Sequence, residues 1–74
     1  MSIIYIGQFS RTHEAEDEIQ RRHPNKAIIS QVGASKSLVG AKKKAKRLEQ
    51  EGSGQAFPIY IAHATNRDKF YVYT

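Results

Sequence analysis

The sequence predicts an α+β fold: a four-stranded, mostly antiparallel sheet with one long helix (about 36–51) packed on one face. Three observations predict it. Four stretches of strand length are rich in β-branched and aromatic residues. One basic stretch carries apolar residues at helical spacing. The segments run strand, short helix, strand, long helix, strand, strand, which ends on consecutive strands rather than on strict alternation.

Each element has its own local reason. Ser2 to Phe9 reads as a strand, with Ile3, Tyr5, Gly7 and Phe9 on one face and Ile4, Ile6 and Gln8 on the other. Residues 13–22 read as a short helix or helical loop. Thr12 is the expected cap, Glu14, Glu16 and Asp17 sit where the helix dipole favours acids, and Ala15 and Ile19 are the apolar anchors. Pro24 disfavours helix at His23 and ends the segment. Ala27 to Val32 is expected as the second strand. Ser35 or Ser37 then caps the long helix, which Gly52-Ser53-Gly54 stops. Gln55 to His63 is the third strand, where Pro58 suggests a sheet edge or a bulge. Ala64 to Asp68 is short enough for a hairpin into Lys69 to Tyr73. The second sheet face is expected to be open or covered by residues 10–25.

The 74 residues suit a single small domain, 1–74, without internal repeat or low-complexity tract. A chain this short buries only about 60% of its unfolded surface. It has no cysteine, so disulfides and thiolate metal sites are excluded. That composition is compatible with the cytoplasm, the expected location. The apolar run Ile3 to Ile6 is too short for a signal peptide and has no basic start. No segment approaches the roughly 20 apolar residues of a membrane span, so no membrane partner is expected.

Charge is the most informative feature. Twelve Lys and Arg against seven Asp and Glu give +5. Residues 1–35 balance at four of each sign, whereas residues 36–51 hold six bases and two acids. At about 100° per residue, Leu38, Ala41, Ala45 and Leu48 form one narrow stripe, and Lys36, Lys43 and Arg47 fall within about 40° of the opposite direction. Lys46 lies about 60° from that direction, and Lys42 and Lys44 flank the group. Lys42–Lys46 and Lys43–Arg47 are like pairs at i,i+4, each costing a few tenths of a kcal/mol. A helix that tolerates this repulsion suits an anionic partner.

Val32-Gly33-Ala34-Ser35-Lys36-Ser37, between an apolar run and a helix, has the context of a phosphate-binding loop. The motif needs G-x-x-x-x-G-K-[ST], and its two glycine positions fall on Ser30 and Ser35. Those glycines let backbone N–H groups wrap the phosphates, so the nucleotide reading fails. A helix start with a Ser cap remains, with unpaired N–H groups that favour an anion.

Seven aromatic residues lie in the chain: Phe9, Phe57, Phe70, Tyr5, Tyr60, Tyr71 and Tyr73. Most are expected to fill a small core or cover a sheet face. An exposed face of Tyr71 and Tyr73 beside lysines would instead suit base stacking. Ile4 to Phe9 is similar to the first-strand ribonucleoprotein motif of RNA-recognition motif domains, over six residues. The partner motif of that family needs a glycine that Lys69 to Tyr73 lacks, and that strand stands at the wrong end of the chain. The long helix also occupies the place of the family's third strand, so the assignment is not adopted.

Catalytic and metal readings find little support. His13, His23 and His63 are scattered, and Asp17 stands where H-E-x-x-H needs its second histidine. The carboxylates at 14 and 16–18 crowd one segment without the contrasting environments that acid–base work needs. No enzyme, cofactor, metal or catalytic residue is expected. The expectation is a small nucleic-acid-binding protein, for DNA or RNA, in which Lys36, Lys42, Lys43, Lys46 and Arg47 contact phosphates and Arg67 and Lys69 add a second contact. The alternative is a binding module or inhibitor that sets the same helix against an acidic or nucleic-acid-binding protein surface. Size and layout resemble small chains encoded by phages and mobile elements, although no motif carries that resemblance. The acidic segment and the basic helix also suit pairing within one chain, or between two copies as a homodimer.

Overall fold

In the computed structural model, which describes residues 3–52 and 56–74, six elements follow in the expected order. They are β1 (Ile3–Phe9), α1 (Thr12–Arg22), β2 (Gln31–Ser35), α2 (Leu38–Gln50), β3 (Ile59–Ala64) and β4 (Lys69–Tyr73). Ser2, Ser53, Gly54 and Gln55, which the sequence assigned to strand ends and the helix stop, lie outside the described residues. The strands form one sheet in the order β1-β3-β4-β2. β3–β4 and β4–β2 are antiparallel and β1–β3 is parallel, so the α+β sheet is mixed.

This order makes the chain cross the sheet twice. α1 leads from one edge strand, β1, to the other, β2. α2 then leads back from β2 to β3. Crossovers of this kind are right-handed, and reversing their direction sends the second helix to the opposite face. The packing agrees. Ala15 and Ile19 of α1 lie with Tyr60, Ala62, Ala64, Tyr71 and Tyr73, joined by Ile6, Phe9 and Ile29. Ala41 and Ala45 of α2 lie with Ile59, Ile61 and Val72, joined by Ile3, Leu38, Leu48 and Phe70. Residues 10–25 therefore do cover the second face, as a helix with two buried anchors, Ala15 and Ile19, above large tyrosines.

β3 lies between two partners with both faces covered, so it reads as a continuous apolar run rather than an alternation. The edge or bulge that Pro58 suggested is corrected here: Pro58 is the residue just before this central strand and removes no ladder hydrogen bond. The expected second strand, 27–32, also shifts. Ile28 is 72% exposed, and the ladder to β4 covers Gln31 to Ser35. Before it, Ser30 and Thr74 exchange two backbone hydrogen bonds.

Gly7 corrects the expected faces of β1. Its φ is +103°, and the register with β3 shifts between Tyr5 and Gln8. Such a bulge reverses the alternation beyond it. Ile3 therefore packs on the α2 side, while Phe9 packs on the α1 side. In α1, Thr12 is the first helical residue rather than the cap; Arg11 holds that position, and the Glu14 carboxylate accepts from the Arg11 N–H at 3.0 Å.

Candidate functional site

α2 begins where the sequence placed a Ser cap. The Ser37 hydroxyl accepts from the Gly40 N–H at 3.1 Å, and the Ser35 hydroxyl accepts from the Ser37 N–H at 3.3 Å. Lys36 thus stands before the cap rather than on the helix, and the helical face begins at Leu38. At the far end Gly52 takes φ +104°, the left-handed conformation of a helix stop.

All seven expected contact residues are exposed. The structure divides them into three groups and leaves one apart. Lys42 and Lys46 border a cleft of about 390 Å³ whose other walls are Ile3, Tyr5 and Ile61. Lys43 and Arg47 join Lys44 and Gly40 around a shallow hollow of about 210 Å³. Lys36 and Lys69 meet beside Ala34 and Ser35 around a third hollow, of about 240 Å³. Arg67 stands in the β3–β4 turn, beside Asp68 with its φ of 51°.

Short ion pairs form on α1, and a His–Asp contact forms at the β3–β4 hairpin. Glu18 binds Arg21 at 2.6 Å and Arg22 at 2.9 Å, and His63 binds Asp68 at 3.0 Å. The α2 cations take part in none of these. The Arg22 hydrogen bond, helped by the charges of Arg21 and Arg22, outweighs a desolvation effect and lowers the Glu18 pKa. The acids at 14 and 16–18 belong to α1, across the sheet from α2. Pairing of the acidic segment with the basic helix within one chain is thereby excluded, because the sheet stands between them.

The tyrosine face weighed for base stacking is also corrected. Tyr71 and Tyr73 are buried under α1, at 5% and 0% exposure. Tyr60 is buried with them, and its hydroxyl shares a 2.6 Å hydrogen bond with His23 Nε2. On the α2 side Tyr5 stays 41% exposed. Its ring centroid lies 6.3 Å from that of Phe70, which stacks on His63 at 4.3 Å. Sequence reasoning placed Tyr5 on a strand but not in a site. The missing information was the strand order, which sets Tyr5 beside the lysines of α2. Lys44 was seen only as a flanking residue; its side chain lies against Gly33, and it completes the hollow of Lys43 and Arg47.

Topology explains why the cleft is open. α2 starts after edge strand β2 and returns the chain to β3, so its path spans β2, β4 and β3. β1 lies beyond that landing strand, and the α2 side of β1 is left with Ile3 and Tyr5 partly uncovered. Among the described residues, no three or more His, Asp or Glu come together as a metal-binding group, and no helix is long and apolar enough to cross a membrane. The chain matches no protein-family model, no curated protein and no solved structure significantly, so the site is read from its own residues.

Proposed function

We propose that the chain binds nucleic acid through backbone phosphates, using the exposed cations of α2. The observation that carries this reading is the charge on α2: Lys42, Lys43, Lys44, Lys46 and Arg47 are exposed on one helix, with the acids of α1 on the opposite face. Lys36 and Lys69 extend the field beyond the start of α2. Phosphate contacts of this kind position a ligand without reading its sequence, so weak sequence preference is expected.

Titration of labelled single- and double-stranded DNA and RNA at two salt concentrations tests the proposal. If about four phosphates are neutralised, affinity for a single strand falls roughly 50-fold between about 50 and about 200 mM salt. Reversing Lys43, Lys46 and Arg47 to Glu is expected to abolish binding while the circular dichroism spectrum is kept. Absence of binding at low salt overturns the proposal. A stoichiometric, nuclease-resistant protein partner, found together with that absence, replaces it with the acidic-protein reading.

A further inference from the structure

Resting on the nucleic-acid reading of α2, we propose that the cleft between β1 and α2 receives an unstacked base, which makes single strands the preferred ligand. The cleft joins the two parts that single-strand binding needs, an aromatic platform and cations that track the backbone. Tyr5 is the platform, supported by its contact with Phe70. Ile3 supplies apolar wall over the fully buried Ile61, and Lys42 and Lys46 stand at the border, one helical turn apart. Its volume of about 390 Å³ falls within the range of small-ligand sites. A base placed against Tyr5 brings its flanking phosphates toward those two ammonium groups. In a duplex the same base stays in its stack and cannot enter.

The competing occupant is an acidic peptide that adds a strand to the free edge of β1. The bulge argues against it. The β1 register breaks between Tyr5 and Gln8, with Gly7 at positive φ, so only the short stretch Ile3 to Tyr5 keeps regular strand geometry before the break. Bulges of this kind end edge pairing. A base needs no ladder and uses the Tyr5 ring itself.

The test compares oligothymidylate, its RNA counterpart and a duplex of equal length on the whole chain. Single strands are expected to bind more tightly than the duplex. Tyr5→Ala is expected to weaken single-strand binding roughly 5- to 150-fold, the range for loss of one base–aromatic stack, and to erase the preference over duplex. Tyr5→Phe keeps the ring and restores the preference. Lys42→Gln lowers the salt dependence of single-strand binding by about one phosphate contact. Circular dichroism of each variant reports whether the fold is kept, and the comparison of single strands with duplex on the parent chain provides the result if Tyr5→Ala does not fold.

Equal affinity for single strands and duplex, or full affinity in folded Tyr5→Ala, overturns the cleft while the phosphate reading of α2 stands. Loss of all oligonucleotide binding in the parent chain overturns both. Resonance shifts at Ile3, Tyr5 and Ile61 caused by a Glu- and Tyr-rich peptide, but not by oligothymidylate, overturn the proposal in favour of the peptide.

Discussion

The Tyr73 hydroxyl is buried and has no hydrogen-bond partner among the described residues. An unsatisfied buried hydroxyl costs about 1–3 kcal/mol, whereas its removal leaves the ring packing in place. Tyr73→Phe is therefore expected to raise stability by about 1 kcal/mol in urea denaturation. Burial, with smaller effects from Glu16 and Tyr71, pushes the Tyr73 pKa above its ordinary value of 10.0. The folded state therefore disfavours the phenolate, and relative to neutral pH the stability is kept in full while Tyr73 stays protonated in both states. It falls as pH rises beyond about 10. Alkaline unfolding followed by circular dichroism is expected to begin at higher pH in the variant. Gly7 decides more with less: one residue at φ +103° turns Phe9 to the α1 side and leaves Ile3 and Tyr5 on the α2 side. A glycine in a strand is readable as a candidate bulge, but its effect on facing depends on the partner strand.

Among the elements, α2 was the most legible because its signal is local. The stripe of Leu38, Ala41, Ala45 and Leu48 faces the sheet, with Ala41 and Ala45 at 0% exposure. Its start rests on Ser37. Ser37→Ala removes the acceptor for the Gly40 N–H and is expected to cost about 1 kcal/mol, measured by thermal or urea unfolding. The strands were less legible. Ala27, Ile28 and Ile29 have strand composition, yet Ile28 stays 72% exposed. Strand limits follow the partner's length, and β4 pairs with residues 31 to 35. α1 carries only Ala15 and Ile19 as buried anchors, and Tyr60, Tyr71 and Tyr73 from the sheet supply the bulk beneath it. That bulk comes from a distant part of the chain, so the local pattern reads as weaker than the helix is.

For the whole molecule, the thin stability margin of 74 residues makes the central strand decisive. At about 0.05–0.15 kcal/mol per residue the total is roughly 4–11 kcal/mol, of which one large core truncation removes a large share. Ile61 has 0% exposure and also walls the cleft. Ile61→Ala is expected to cost about 2–5 kcal/mol and to lower the melting temperature by roughly 10 °C or more. Ile28→Ala, on an exposed side chain, is expected to stay within about 0.5 kcal/mol. The pair of melting curves separates core burial from apolar composition. The same architecture gives the molecule its electrostatic asymmetry, since the two crossovers place α1 and α2 on opposite faces.

The sequence by itself determined the α+β class, the order of six elements and the cationic outer face of α2. Each follows from local periodicity and composition, which need no distant partner. Tertiary structure decided which aromatic residues remain exposed. Burial of Tyr71 and Tyr73 and exposure of Tyr5 both depend on strand order, which no local pattern encodes. It also decided how the cations divide. Lys42 and Lys46 acquire an apolar neighbour only because α2 lands on β3 and leaves β1 uncovered. The outward placing of Lys43 and Arg47 was visible in sequence because helical geometry is local; the cleft was not, because residues 3, 5, 42, 46 and 61 meet only through the sheet.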